Sequence, residues 1–173
     1  MNILEKFTPI KTFVFDVDGV LTDGSLLLLN DGQMARKMNI KDGYALQLAI
    51  KKGYHVMVIS GGAINAVKER LCKLGITESF FDVLDKKGML QDHVQKNHLK
   101  WEEILYMGDD IPDHPAMLLV GLPCCPADAA VEIKQVSTYI SPFQGGNGCV
   151  RDVIEKVLKL NSNWDIDAGI KAK

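Results

Sequence analysis

Residues 13–24 read FVFDVDGVLTDG, an apolar run that opens into two aspartates one residue apart. With Phe13–Phe15 in a strand, alternation sends Asp16 and Asp18 to one side of the backbone and Val17 to the other. Two carboxylates so close repel unless positive charge lies between them, most simply a hard cation with oxygen ligands. An aspartate carboxylate is also a nucleophile toward phosphorus, through an aspartyl-phosphate. On this reading Asp16 attacks phosphorus, while Asp18 protonates the leaving alcohol and then activates water. A turn at Gly19 leaves room for backbone and substrate to approach.

Three more stretches supply partners. ILYMGDDIPD at 104–113 carries Asp109, Asp110 and Asp113. Asp109 is expected to complete a magnesium site with Asp16, the main-chain carbonyl of Asp18, water and phosphate, a ligand mixture that suits this ion. The cation would screen the repulsion between carboxylate and phosphate. Asp110 and Asp113 either orient metal-bound water or Lys86, or cap the helix that follows. VMVISGG at 56–62 ends in Ser60, Gly61 and Gly62. The Ser60 hydroxyl and the two glycine amides can grip phosphoryl oxygens at a helix N-terminus, with plain N-capping the alternative for Ser60. Lys86 can balance the charge of phosphate and Asp16; otherwise it is a solvated amine.

These residues must converge, and the rest of the chain shows how. Apolar runs predict strands at 12–16, 55–60, 80–83, 104–107, 122–125 and 138–140. Helical patterns fall at 43–52, 63–74, 88–97, 113–119, 129–135 and 150–160. The alternation implies an α/β fold: a Rossmann-like parallel sheet with helices on both faces. Ligands bind such sheets beyond the carboxyl ends of the strands, where Asp16, Ser60 and Asp109 lie. Asn30-Asp31-Gly32 is a hairpin turn signal between 25–29 and 33–38, so a β-hairpin should project near the site. Its Leu26–Leu29 run does not alternate, which predicts burial of both faces.

The 173 residues, 47% apolar, suit a single domain at 1–160, followed by a polar and disordered tail at 161–173. A net charge of −2 gives no case for nucleic acid or an anionic membrane, and no apolar run reaches spanning length. The N-terminus lacks a signal-peptide layout. Cys72, Cys124, Cys125 and Cys149 form no C-x-x-C pair and are expected as buried, reduced thiols of a cytoplasmic protein. His55, His93, His98 and His114 show no metal-ligand spacing and are expected as surface or packing residues.

FDVDGVLTDG, the serine after VMVIS, Lys86 and GDDIPD resemble, in order, the four motifs of the haloacid dehalogenase superfamily of phosphatases. Neither the stretch from Asp18 to Asp42 nor that from Ser60 to Lys86 can hold a cap domain, so the chain is similar to the capless subgroup. DVDGVLTDG, the hairpin, IKDGYAL and residues 121–158 closely resemble the 3-deoxy-D-manno-octulosonate 8-phosphate (KDO 8-phosphate) phosphatases, which serve lipopolysaccharide synthesis. That resemblance implies magnesium, a sugar acid phosphate substrate and a homotetramer. Hairpins meet at its centre, and a neighbouring subunit covers each active site. It also implies that the 144–148 segment, with Gly146, and Arg151 reach an active site. Arg70 matches an arginine of the family; it reaches a substrate carboxylate across the interface or forms a surface ion pair.

A related group acts on nine-carbon 2-keto sugar acid 9-phosphates, with threonine, glycine and glutamate after the second strand. Ser60-Gly61-Gly62 lacks that glutamate, and also the arginine common in eight-carbon enzymes. This argues against the nine-carbon substrate. A non-catalytic phosphoryl-binding receiver domain would lack the second carboxylate, Asp18. An interaction module that had lost activity would not keep Asp16, Asp18, Lys86 and Asp109 together.

Overall fold

Continuous burial runs through the central apolar segments, whose side chains alternate between two cores, and this builds the sheet. The computed structural model describes residues 2–63 and 65–170. Its strands are β1 (Thr12–Phe15), β2 (Leu27–Leu28), β3 (Met34–Ala35), β4 (His55–Ile59), β5 (Glu78–Phe80), β6 (Ile104–Met107), β7 (Leu122–Cys125) and β8 (Tyr139–Ile140). Six of them form one sheet in the order β5-β4-β1-β6-β7-β8, every pairing parallel. Phe13, Phe15, Val56, Val58, Leu105 and Met107 face one core; Val14, Met57, Ile59, Ile104 and Tyr106 face the other. Continuous apolar runs buried on both faces are what a covered parallel sheet requires.

The helices are α1 (Ile40–Lys51), α2 (Asn65–Lys73), α3 (Lys86–Lys96), α4 (His114–Met117), α5 (Val131–Val136) and α6 (Cys149–Leu160). Residues of α1, α2 and α6 fill the first core, and residues of α3, α4 and α5 fill the second. No cap domain is inserted. Between β1 and α1 stand a helical turn at Val17–Leu21 and the antiparallel hairpin β2–β3, which turns at Asn30–Gly32.

Some expected boundaries shift. The edge strand β5 lies at 78–80 rather than 80–83, and the chain leaves the sheet through Asp82 at φ 55°. α1 begins at Ile40, because the Asn39 side chain accepts the Lys41 amide and caps it. The described part of the expected tail, 161–170, is not a free chain. Trp164 and Ile170 pack on the core, Asp165 and Asp167 pair with Lys52 and Lys51, and the Asp167 amide donates to Tyr44 Oη at 3.1 Å. Residues 171–173 lie outside the described residues. Leu26–Leu29 are exposed within the single chain, which does not itself bury both faces of the hairpin. All four cysteines are free, but Cys72 is exposed rather than buried.

Candidate active site

The carboxyl ends of β1, β4 and β6 surround a cavity of about 330 Å³ lined by Asp16, Asp18, Ser60, Gly61, Lys86, Asp109, Asp110 and Asp113, among others. Asp16 follows β1 at once and is buried. Its Oδ1 accepts the Val17 amide at 2.7 Å and lies 2.8 Å from Lys86 Nζ. Lys86, the first residue of α3, is equally buried, and its Nζ also donates to Asp113 Oδ1 at 2.8 Å. Asp113 is fully buried and multiply bonded. It accepts from Tyr106 Oη at 2.8 Å and from the Asp109 amide at 3.1 Å. A buried ammonium is tolerated only when so paired. Asp113 is thus the residue that positions Lys86, and through Lys86 it orients Asp16.

The charges do not balance. Asp16, Asp109 and Asp113 bring oxygens within 4.8 Å of one another, and among the described residues Lys86 is the one ammonium lining their cavity. Burial, then Asp113, pushes the Asp16 carboxyl well above its ordinary value despite Lys86. Burial, then Asp113 and Asp110, pushes Asp109 to about 7. Burial opposes the charge on Lys86, but Asp113 and Asp16 overcome it and hold the amine above its usual range. Asp109 Oδ1 is buried without a hydrogen-bond partner among the described residues. An orphaned carboxylate oxygen in a cluster of carboxylates with excess negative charge fits a hard divalent cation. Because Asp113 is committed to Lys86, Tyr106 and an amide, Asp16 and Asp109 are the better placed ligands.

Gly19 makes room for this arrangement. It sits at φ +85°, and a Cβ there would lie 1.9 Å from Asp109 Oδ2. Only glycine allows the Asp16–Leu21 turn and the Asp109 carboxylate to share the space. Asp18 stands at the mouth, held by Arg36 of the hairpin through Nε to Oδ1 at 2.7 Å and Nη2 to Oδ2 at 3.2 Å. Ser60 is buried, and its Oγ accepts the Gly62 amide at 3.2 Å. That bond closes a short turn after β4 and leaves the hydroxyl proton to donate into the cavity. Asp110 is exposed, lines the rim and accepts the Ile111 amide at 2.8 Å.

No protein-family model matches the chain. Across 168 residues it is 32% identical to the 3-deoxy-D-manno-octulosonate 8-phosphate phosphatase KdsC of Escherichia coli (strain K12), covering 97% of this chain and 89% of that one. The chain belongs to the KDO 8-phosphate phosphatase family. This is a family of phosphoric monoester hydrolases in the haloacid dehalogenase superfamily. The crystal structure of the Yersinia pestis phosphatase matches with a TM-score of 0.90 at 29% identity, over 93% of this chain and 87% of that one. The Moraxella catarrhalis phosphatase, in complex with magnesium ion, phosphate ion and a KDO molecule, matches with a TM-score of 0.89 at 32% identity, over 93% and 92%.

Three residues that the family resemblance brings to a site stand outside the cavity walls of the single chain. Gly146, at φ +64°, packs on the backbone of Thr22 and Asp23, and its amide donates to Val20 O at 2.9 Å; it braces the phosphatase loop from behind. Arg151 bonds Glu155 Oε2 at 3.1 Å and lies over the rings of Tyr44 and Trp164. Arg70 borders a separate cleft with Met34, Arg36 and Met38, and its Nε and Nη2 are buried without a partner among the described residues. Conversely, sequence reasoning missed Arg36 and Tyr106. A hydroxyl inside the apolar run ILYM was a usable signal, since a buried tyrosine needs an acceptor.

Proposed function

We propose that the chain is a magnesium-dependent phosphatase that hydrolyses KDO 8-phosphate to the free sugar acid and phosphate, as a cytoplasmic step of lipopolysaccharide precursor synthesis. The observation that carries the reading is the cavity itself. It joins a buried nucleophile candidate, Asp16, to a fixed ammonium, Lys86, and to an orphaned carboxylate oxygen of Asp109. The relatives named for this activity support the substrate, and the free cysteines agree with a reducing compartment.

Asp16, Asp109 and the main-chain carbonyl of Asp18 would hold the magnesium, which supplies charge neutralisation for the phosphoryl group when bound. Lys86, Ser60 Oγ and the Gly61 amide take the phosphoryl oxygens. An Asp16 oxygen forms a bond to phosphorus as the bond from phosphorus to the sugar oxygen breaks, and Asp18 gives that oxygen its proton. The Asp18 carboxylate then takes a proton from water. The resulting hydroxide bonds to phosphorus, the bond to Asp16 breaks, and inorganic phosphate leaves.

The same reading includes a homotetramer with shared sites. Leu27 and Leu28 of β2 are 64% and 71% exposed, beside exposed Met34 and Ile40. Covering a leucine is worth about 1.5–3 kcal/mol, so a contiguous row favours association. Arg70, whose Nε and Nη2 have no partner among the described residues, lies near the hairpin base and would meet a sugar carboxylate brought by a neighbour, while Gly146 and Arg151 act on the site through the segment they anchor.

The test is kcat/KM for KDO 8-phosphate, a nine-carbon 2-keto sugar acid 9-phosphate and a hexose phosphate, with and without magnesium. The eight-carbon compound should lead by about tenfold or more, the usual worth of one well-placed contact. A lead for the nine-carbon compound overturns the substrate, and activity in excess chelator overturns the cation.

A further inference from the structure

A second group of metal-ligating side chains lies at the opposite end of the strands from the Asp16 cavity. His55 opens β4, Glu78 opens β5, and His93 sits in the last turn of α3. One oxygen, Glu78 Oε2, meets both imidazoles: His55 Nε2 directly and His93 Nε2 at 3.3 Å. The two rings lie nearly parallel, 5.4 Å between centroids and 7° apart, with Phe80 edge-on to His93. One donor atom from each residue falls within 4.8 Å of the other two. His55 Nδ1 is buried without a partner among the described residues, so this ring's polar interactions run through Nε2.

We propose that His55, Glu78 and His93 form a zinc site at the sheet edge, with water as the fourth ligand. Two imidazoles and one carboxylate are a donor set that zinc takes in tetrahedral geometry, whereas magnesium prefers six oxygens. The two clusters found among the described residues therefore select different metals. The ligands come from the edge strand β5, its neighbour β4 and the helix α3. A bound zinc pins the sheet's open edge, where β5 is only three residues long. His55 and Glu78 are 23 positions apart, so no short ligand motif marks the site, and its histidines read as packing residues in the sequence. Parallel pairing in the sheet brings them together.

Metal-stripped protein, with excess magnesium to fill the carboxylate cavity, is dialysed against micromolar zinc and its zinc content is measured. The wild type is compared with His93→Gln and Glu78→Gln. The wild type should retain about one zinc per chain and both variants at least tenfold less, with a zinc-dependent rise in Tm that only the wild type shows. Cobalt in place of zinc should give the intense visible bands of a four-coordinate site in the wild type alone. Magnesium-dependent phosphate release certifies that the variants are folded, since none of the three residues lines the Asp16 cavity. If one variant does not fold, the other carries the comparison. A wild type that retains no zinc, or variants that retain as much, overturns the proposal. The cluster is then an imidazolium–carboxylate pair without metal.

Discussion

Arg36 of the hairpin holds Asp18 of the loop after β1 in a two-point grip, Nε to Oδ1 at 2.7 Å and Nη2 to Oδ2 at 3.2 Å. The pair joins the projecting hairpin to the proposed acid/base group. Arginine's planar fork fixes a carboxylate's orientation in a way a single donor does not. Arg36→Gln should therefore weaken protonation of the leaving group. A sugar alkoxide needs that proton and an aryl oxide hardly does. General acids contribute about 10²–10⁴ in rate, so partial misplacement should cost roughly tenfold in kcat on the sugar phosphate and little on an aryl phosphate. Equal losses on both substrates would point to a fold defect instead.

Gly19→Ala forces a Cβ into the space of the Asp109 carboxylate at a φ that disfavours side chains. Asp109 must move, and the proposed cation loses a ligand. The magnesium concentration giving half-maximal activity should rise about tenfold or more, a scale typical of disturbed metal sites. A magnesium titration of the variant checks it; an unchanged midpoint would remove Asp109 from the ligand set.

The pH dependence has a definite sign. Burial, Asp113 and Asp110 push Asp109 to about 7 in the metal-free protein, so protons and magnesium compete for it. Apparent magnesium affinity should fall by up to about tenfold per pH unit below 7 and level off above. The folded chain also holds this proton where the unfolded chain has lost it, between the ordinary 3.8 and about 7. Stability without metal should thus decline as pH rises through that window, and magnesium should restore it. Melting curves from pH 5 to pH 8, with and without magnesium, test both signs.

Continuous apolar runs alternating with helical patterns made the six-stranded sheet legible, because its central strands are buried on both faces. That pattern failed at the edge, where β5 opens with polar Glu78 and its burial is only partial. The convergence of Asp16, Asp18, Ser60 and Asp109 was legible because a parallel sheet delivers residues at strand ends to one place, and Lys86 joins them from the start of α3. Arg36, 18 positions from Asp18, was not, because the hairpin's fold-back alone makes the contact. Asp113 was ambiguous between a cap and an orienting role until Tyr106 and Lys86 were seen on the same oxygen.

The leucine row gives an assembly prediction. Leu27→Asp with Leu28→Asp should convert a tetramer to smaller species by light scattering. It should also raise KM for the sugar phosphate by about tenfold, the scale of one lost contact, while sparing an aryl phosphate. A wild-type chain that is monomeric at micromolar concentration and fully active on its sugar substrate contradicts shared sites.

The central claim is that the Asp16 carboxylate attacks phosphorus. Its most direct test is phosphate release from KDO 8-phosphate with saturating magnesium, by the wild type and by Asp16→Asn, with circular dichroism confirming the fold of both. The account predicts turnover by the wild type and a loss of about 10³-fold or more in the variant, as expected for removal of a covalent nucleophile. A folded Asp16→Asn protein with near-normal turnover would contradict it.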